Sequence, residues 1–273
     1  MGAVLYHGEP NGASLTVLAA LEEARGEAGA EAGGEAALGI ACRPIDLLAG
    51  ERHGIPGLSE RVALDMGIEG EGPVLVIDGE AMTESVFLAQ YIDELAGGAG
   101  LQPRDSHAHW EMMMWCRQIT ERLSPAAALL GNLASSQAAI AAIGAEDFAG
   151  ITASIVSDDL RQRWQALHDG AIDAAQVADS ETKVAQAVAR CEGQLADGRD
   201  WLMGVYSIAD IVTFSWLAGM ALLRPEAFAD APKTAAWLAR VKARPAVAAA
   251  LARATVSEPL RAWAPGPEIN RWG

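Results

Sequence analysis

Cysteine is scarce. Cys42, Cys116 and Cys191 are the three in 273 residues, widely separated and never in a Cys-x-x-Cys pair. That excludes a disulfide framework and a cysteine zinc site, and the expected state is reduced, buried and small-hydrophobic in role. The five histidines, His7, His53, His107, His109 and His168, lack ligand spacing too, because an i, i+2 pair on a helix faces two directions. No metal is expected. Cations are few, 20 Lys+Arg against 36 Asp+Glu for a net charge of −16, which disfavours nonspecific attraction to nucleic acid or an anionic membrane. Hydrophobic residues make up 51% of the chain, but they are mostly alanines broken by charges. No uncharged apolar run reaches the roughly 18 residues of a membrane span. Met1 to His7 has neither a basic start nor a long apolar core, so it does not read as a signal peptide, and the cytoplasm is the expected location. No fixed-period repeat points to a solenoid. Gly70-x-Gly72 precedes a strand rather than a helix, no Gly-Lys-Ser/Thr phosphate loop occurs, and Gly12-x-Ser14 lacks the closing glycine of a nucleophile elbow.

What the chain does have is an α/β first part and a helical remainder. Val4-Leu5-Tyr6 reads as a short strand, and Ser14-Leu15 opens an amphipathic helix through Val17, Leu18 and Leu21. Gly26 to Gly39 is an Ala/Gly/Glu-rich helix extension or insertion. Ile40 to Leu47 offers a second strand, parallel to the first if the helix is a crossover. After a glycine-rich stretch with a short helix near Leu58 to Met66 comes the best-defined segment. Val74 to Ile77 is a β-branched apolar run, Asp78-Gly79 a two-residue turn, and Thr83-Glu84-Ser85 leads into a helix ending near Leu95. The order is β-α-β-α-β-β-α.

Gly97 to Pro103 reads as the linker between a first domain, 1–96, and a second, 105–264. Helices are expected over Asp105 to Leu123, interrupted or kinked by Pro125, and over Ala134 to Ile143, Ile151 to Leu167, Asp179 to Leu195, Ile208 to Leu222, Thr234 to Ala243 and Ala246 to Ala254. Pro265 to Gly273 is a Pro/Gly tail placed to pack back onto the body. Ser207 and Asp210 have the spacing of a short-armed capping box, a structural feature.

With these features in order, the chain resembles the cytosolic glutathione transferases over about its whole length. The resemblance implies a thioredoxin-like N-terminal domain followed by an all-helical C-terminal domain. Within that family Asn11-Gly12-Ala13-Ser14-Leu15, Trp164 and Tyr206-Ser207-Ile208-Ala209-Asp210-Ile211 are similar to bacterial β-etherases, which use glutathione to break lignin-derived β-aryl ethers.

The resemblance implies glutathione as the co-substrate and assigns its contacts. Gly72 and Pro73 would receive the cysteinyl backbone as an added strand, through a cis proline that turns the preceding N–H and C=O outward; an ordinary trans proline is the plain alternative. The family usually has valine where Gly72 stands. Ser85, at a helix N-terminus, would bind the γ-glutamyl carboxylate and Glu84 the amino group, the alternative for both being N-capping. Arg52 and His53 are candidates for the glycyl carboxylate. Ser14 would donate to the glutathione sulfur and favour thiolate over thiol, with Asn11 as a second donor; otherwise Ser14 is an N-cap. Trp110, Met114, Trp115, Trp164 and Trp216 are either core or the walls of a pocket for a hydrophobic, aromatic electrophile. With no cysteine near Ser14, a mixed disulfide is disfavoured and direct thiolate attack remains. The expected assembly is a homodimer or a pair with a related chain. Alternative functions are a non-catalytic transferase-like subunit and a glutathione-dependent dehalogenase or isomerase.

Overall fold

The computed structural model describes residues 2–32, 38–64, 70–98 and 100–266. Its first part is a four-stranded sheet in the order β2-β1-β3-β4, built from β1 (Ala3–His7), β2 (Ile40–Pro44), β3 (Val74–Ile77) and β4 (Glu80–Met82). β1 and β2 are parallel, joined by helix α1 (Gly12–Ala32), and β3 runs antiparallel to β1 with Leu5 opposite Leu75. The period-two alternation of β1 divides it between the two faces of the sheet. Leu5 joins the main core with α1 and α3 (Ser85–Leu95), while Tyr6 packs with Ile55, Leu58 and Val74 beneath α2 (Leu58–Leu64). The β3–β4 turn has Asp78 at φ 54° and Gly79 at φ 89°, the two left-handed residues that a tight Asp-Gly hairpin requires. Helix α1 runs into the Ala/Gly/Glu-rich stretch as far as Ala32; residues 33–37 of that stretch, like 65–69 and 267–273 with Trp272, lie outside the described residues.

The second part is helical. α4 (Ser106–Gln118) is capped by Asp105, whose carboxylate accepts from the N–H groups of His107 and Ala108. It passes through a π turn, Ile119–Leu123, directly into α5 (Ser124–Ala134), the Ser124 N–H bonding to the Ile119 carbonyl. Pro125 therefore does not end the helix. The missing proline N–H is absorbed by one wide turn immediately before it. Where one helix was expected over Ile151 to Leu167 there are two, α7 (Ala145–Ser154) and α8 (Asp158–His168), because the Ser157 hydroxyl caps a fresh start by accepting from Leu160 N–H. α6 is shorter than expected, Gln137–Ala141; α9 (Ala174–Gln194), α10 (Ile208–Leu223), α11 (Pro232–Lys242) and α12 (Pro245–Leu251) complete the bundle.

α10 is the central post, buried from Ile208 to Met220. Its first turn is held by the Asp210 carboxylate, which accepts from the Ser207 N–H (3.1 Å) and hydroxyl (3.3 Å), the Leu202 N–H (2.9 Å) and Trp237 Nε1–H (2.8 Å). Burial nevertheless pushes its pKa up to about 6. The two parts are bolted together along α1. Arg244 forms a two-pronged pair with Glu23 at 2.6 and 2.8 Å, its guanidinium lying 3.5 Å above the Tyr206 ring centre, and Arg253 reaches Glu22. Among the described residues no helix is long and apolar enough to cross a membrane.

Candidate active site

A cleft of about 1360 Å³ runs between the sheet and the helical part. Ser14, Asn11, Arg52, Gly72, Pro73, Glu84, Ser85, Met114 and Trp216, all singled out in the sequence, line it. α1 opens at Gly12, with Leu15 N–H on the Asn11 carbonyl, so Ser14 lies inside the first turn and does not cap it. Its oxygen accepts from the Gly8 N–H at 3.1 Å, an arrangement that leaves the hydroxyl proton for a neighbour in the cleft. The first-turn N–H groups of α1 add positive potential there. Gly12 allows this packing: its φ is +49°, and a Cβ would stand 2.9 Å from the Trp216 ring.

Two expectations about the glutathione half, the cis proline and the place of His53, are corrected. The Gly72–Pro73 peptide is trans, not cis. The Gly72 backbone groups are also already used: its N–H turns back to the Gly70 carbonyl at 2.8 Å, and its C=O accepts from Arg52 Nε–H at 2.7 Å. Arg52 is 1% exposed and therefore fixes this backbone as well as lining the cleft. His53 does not line the cleft; its Nε2 lies 2.8 Å from Oε1 of Glu71, which does. Glu84, by contrast, sits at φ 68°, ψ 101°, and its carbonyl accepts the first bond of α3 from Leu88 N–H. A non-glycine residue held in that region is strained, and such strain concentrates at ligand clamps. Ser85 follows as the first residue of α3.

The tryptophans divide. Trp216 lines the cleft. Trp110 is 57% exposed on the outer surface. Trp115 is core, donating to Thr213 Oγ1 at 2.9 Å with Arg190 over its ring, because one helical step of about 100° turns it away from Met114. Trp164 is fully buried and acts on the site indirectly, its Nε1–H donating to Glu71 Oε1 at 2.9 Å. As pocket walls Trp110, Trp115 and Trp164 are thus corrected.

Other cleft residues were not foreseen. Met113 comes from α4, Thr120 from the π turn, Ser124 from the start of α5, and Trp263 from the C-terminal segment. That segment is tied across the cleft: Asn11 Nδ2–H donates to the Ala262 carbonyl (3.1 Å), Asn132 Nδ2–H to that of Ala264 (3.0 Å), and Glu71 N–H to that of Pro265 (2.9 Å). The tail does pack back onto the body as far as it is described. Only glycine fits beside the Trp263 indole at Gly131 and Gly219; at Gly219 a Cβ would lie 2.6 Å from the ring. A Pro/Gly tail gave a weak signal for this; Glu71, one residue before Gly72-Pro73, gave none.

The chemistry on offer is limited. Burial holds His7 below the usual imidazole range, so it is neutral at pH 7. No cysteine lines the cleft among the described residues, and burial pushes Cys116 and Cys191 up to about 12, where neither supplies a thiolate. No group of three or more metal-binding side chains occurs among the described residues.

Comparison with known proteins agrees with this architecture. Residues 144–245 match the glutathione S-transferase C-terminal domain. Protein LigF of Sphingobium sp. (strain NBRC 103272 / SYK-6) is 29% identical over 190 residues, 65% of this chain and 72% of LigF. The crystal structure of beta-etherase LigF from Sphingobium sp. strain SYK-6 superposes with a TM-score of 0.75 at 24% identity, covering 93% of this chain and all of that one. A glutathione transferase family member from Pseudomonas fluorescens pf-5, solved with two glutathione bound, gives 0.59 at 18% identity over 92% of each chain. Residues 144–245 are thus similar to the glutathione S-transferase C-terminal domain, and the chain has the fold of the glutathione transferases.

Proposed function

We propose that the chain is a glutathione transferase in which Ser14 activates the glutathione thiol for attack on a hydrophobic, aromatic electrophile, and that β-aryl ethers are its substrates. The observation that carries this is the Ser14 hydroxyl, which accepts from Gly8 N–H within the first turn of α1 and keeps its proton for the cleft. A hydrogen bond from that proton to sulfur favours thiolate over thiol. The γ-glutamyl end would lie at Glu84 and Ser85. Gly72 would receive the cysteinyl backbone once its N–H leaves the Gly70 carbonyl, a three-residue turn that gives way readily. Its carbonyl keeps a second lone pair beside the Arg52 bond. Attack on the ether carbon would displace a phenolate, with no protein-bound intermediate. The β-etherase assignment draws on the likeness to LigF.

The engaged Gly72 N–H also favours a second reading, a transferase-like subunit with weak or absent catalysis. Calorimetric titration with glutathione, followed by assay of phenol release from aryl ethers, separates the two. Saturable glutathione binding with glutathione-dependent phenol release supports the enzyme; binding without turnover of any aryl ether or halogenated aromatic supports the subunit. A cytoplasmic protein that pairs with itself or a related chain fits this role, Phe87 and Trp110 offering apolar side chains 61% and 57% exposed.

A further inference from the structure

The residue before Gly72-Pro73 is gripped by three separate parts of the chain. Glu71 Oε1 receives Trp164 Nε1–H from α8 at 2.9 Å and lies 2.8 Å from Nε2 of His53, in the 3-10 turn Glu51–Gly54. A carboxylate only accepts, so His53 carries a hydrogen on that nitrogen. The Glu71 N–H donates to the Pro265 carbonyl of the C-terminal segment at 2.9 Å. The side chain is wholly buried although the residue lines the cleft, so what Glu71 shows to the opening is its backbone. An apolar side chain would cost less here, because Oε2 is buried with no partner among the described residues. The carboxylate is therefore explained by what it holds.

Glu71 is also the centre of the three-residue turn in which the Gly72 N–H meets the Gly70 carbonyl at 2.8 Å. Rotation about the Glu71 Cα–C bond swings the Gly72 N–H out of that turn and leaves the Glu71 N–H and side chain where they are. Those two unmoved parts are the ones that Pro265, Trp164 and His53 hold. Glu71 is thus fixed on its N-terminal side and free to turn on the other. We propose that Glu71 is a positioning residue for glutathione, its carboxylate fixing the pivot about which the Gly72 N–H turns to meet the cysteinyl backbone. This rests on the transferase reading for the identity of the ligand. Holding a binding group in one geometry raises affinity by cutting the cost of ordering it on association. The gain falls on glutathione binding and not on the chemical step at Ser14.

The test compares the full-length wild type with Glu71→Ala and Glu71→Gln, by calorimetric titration with glutathione and by steady-state release of phenol from an aryl ether. Glu71→Ala is expected to weaken glutathione binding about 10-fold and raise its KM in proportion, with kcat at saturating glutathione within about twofold of wild type. Glu71→Gln keeps an oxygen for the Trp164 and His53 N–H groups and loses only the charge, so it should bind within about threefold of wild type. A purely structural role would lower the denaturant midpoint of Glu71→Ala and leave its glutathione affinity unchanged, and that result would overturn the proposal. So would a glutamine variant as weak as the alanine one, or a fall in kcat with KM unmoved. If Glu71→Ala does not fold, His53→Ala, which removes one of the two N–H groups, should weaken glutathione binding about threefold, and wild-type affinity in that variant would overturn the proposal instead. A wild type that does not bind glutathione removes the transferase reading and this proposal together, whereas binding that is indifferent to Glu71 removes this proposal alone.

Discussion

Trp164 Nε1–H donates to Glu71 Oε1 over 2.9 Å, tying helix α8 of the bundle to the residue immediately before Gly72-Pro73. His53 Nε2 approaches the same oxygen at 2.8 Å, while Glu71 Oε2 is buried without a partner among the described residues. A buried carboxylate with so few bonds is sensitive to losing one. Trp164→Phe should lower stability by about 1–3 kcal/mol, read as a lower denaturant midpoint at unchanged slope. Because the Glu71 N–H also holds Pro265, the variant should raise the KM for glutathione. A Trp164→Phe protein with wild-type midpoint and KM would show that the link is incidental.

Ser14→Ala removes the hydroxyl proposed to reach the sulfur and leaves Gly8 N–H without its Ser14 acceptor. Turnover should fall about 100-fold, the usual cost of a lost donor to a developing or stabilised anion. The thiol of bound glutathione should titrate near its free value of about 8.5 rather than below it. Ultraviolet thiolate absorbance of the binary complex measures this, and the same titration curve in variant and wild type would remove Ser14 from the mechanism.

The strands, the Asp78-Gly79 turn and the start of α3 at Ser85 were legible because each rests on local rules: β-branched runs, a turn dipeptide, polar residues before an apolar helical pattern. The helix starts of the second half were less so. Ser157 caps α8 in the middle of a pattern that reads as one helix, and the interruption or kink expected at Pro125 takes the form of a π turn just before it. Family resemblance supplied the positions Ser14, Glu84 and Ser85, and all three line the cleft. The site was not legible where long-range partners decide what a residue does. Trp164 and His53 meet Glu71, 93 and 18 residues away in sequence, and Trp263 finds its slot only once α5 and α10 bring Gly131 and Gly219 together.

Asp210 should give a pH-dependent signature of its own. Its carboxyl titrates near 3.8 in the unfolded chain and at about 6 when buried in the native state. The folded protein therefore binds this proton more tightly, and the associated stability is fully present below about pH 4 and lost as pH rises through about 6. The size of that term is about 3 kcal/mol. Asp210→Asn places an NH₂ against donors and should be destabilised, but it lacks the titration. The gap between wild type and variant should thus be wider near pH 4 than near pH 7, measured from urea midpoints. A gap that does not change with pH contradicts a raised Asp210.

Phe87 on α3 and Trp110 on α4 are large apolar side chains left in solvent. If they face a second chain, light scattering of the wild type should give twice the mass of one chain. Replacing both by glutamate should then shift the protein toward monomer without moving its core unfolding transition. A wild type that runs as a monomer ends this reading.

Gly131 lies within α5, where alanine is ordinarily the better residue by about 0.5–1 kcal/mol. Packing reverses that preference here, since a Cβ at Gly131 would overlap the indole of Trp263. Gly131→Ala should destabilise by about 1–3 kcal/mol through overpacking, or displace Trp263 and with it the segment that Asn11, Glu71 and Asn132 hold over the cleft. The two outcomes differ in a measurable way. Displacement would open residues 259–266 to protease while the bundle stays folded, and would weaken aromatic co-substrate binding with glutathione affinity preserved. Overpacking without release would lower the thermal midpoint and leave the proteolytic pattern unchanged. An alanine variant as stable as the wild type, with the tail still protected, would mean that Trp263 does not occupy this slot in solution.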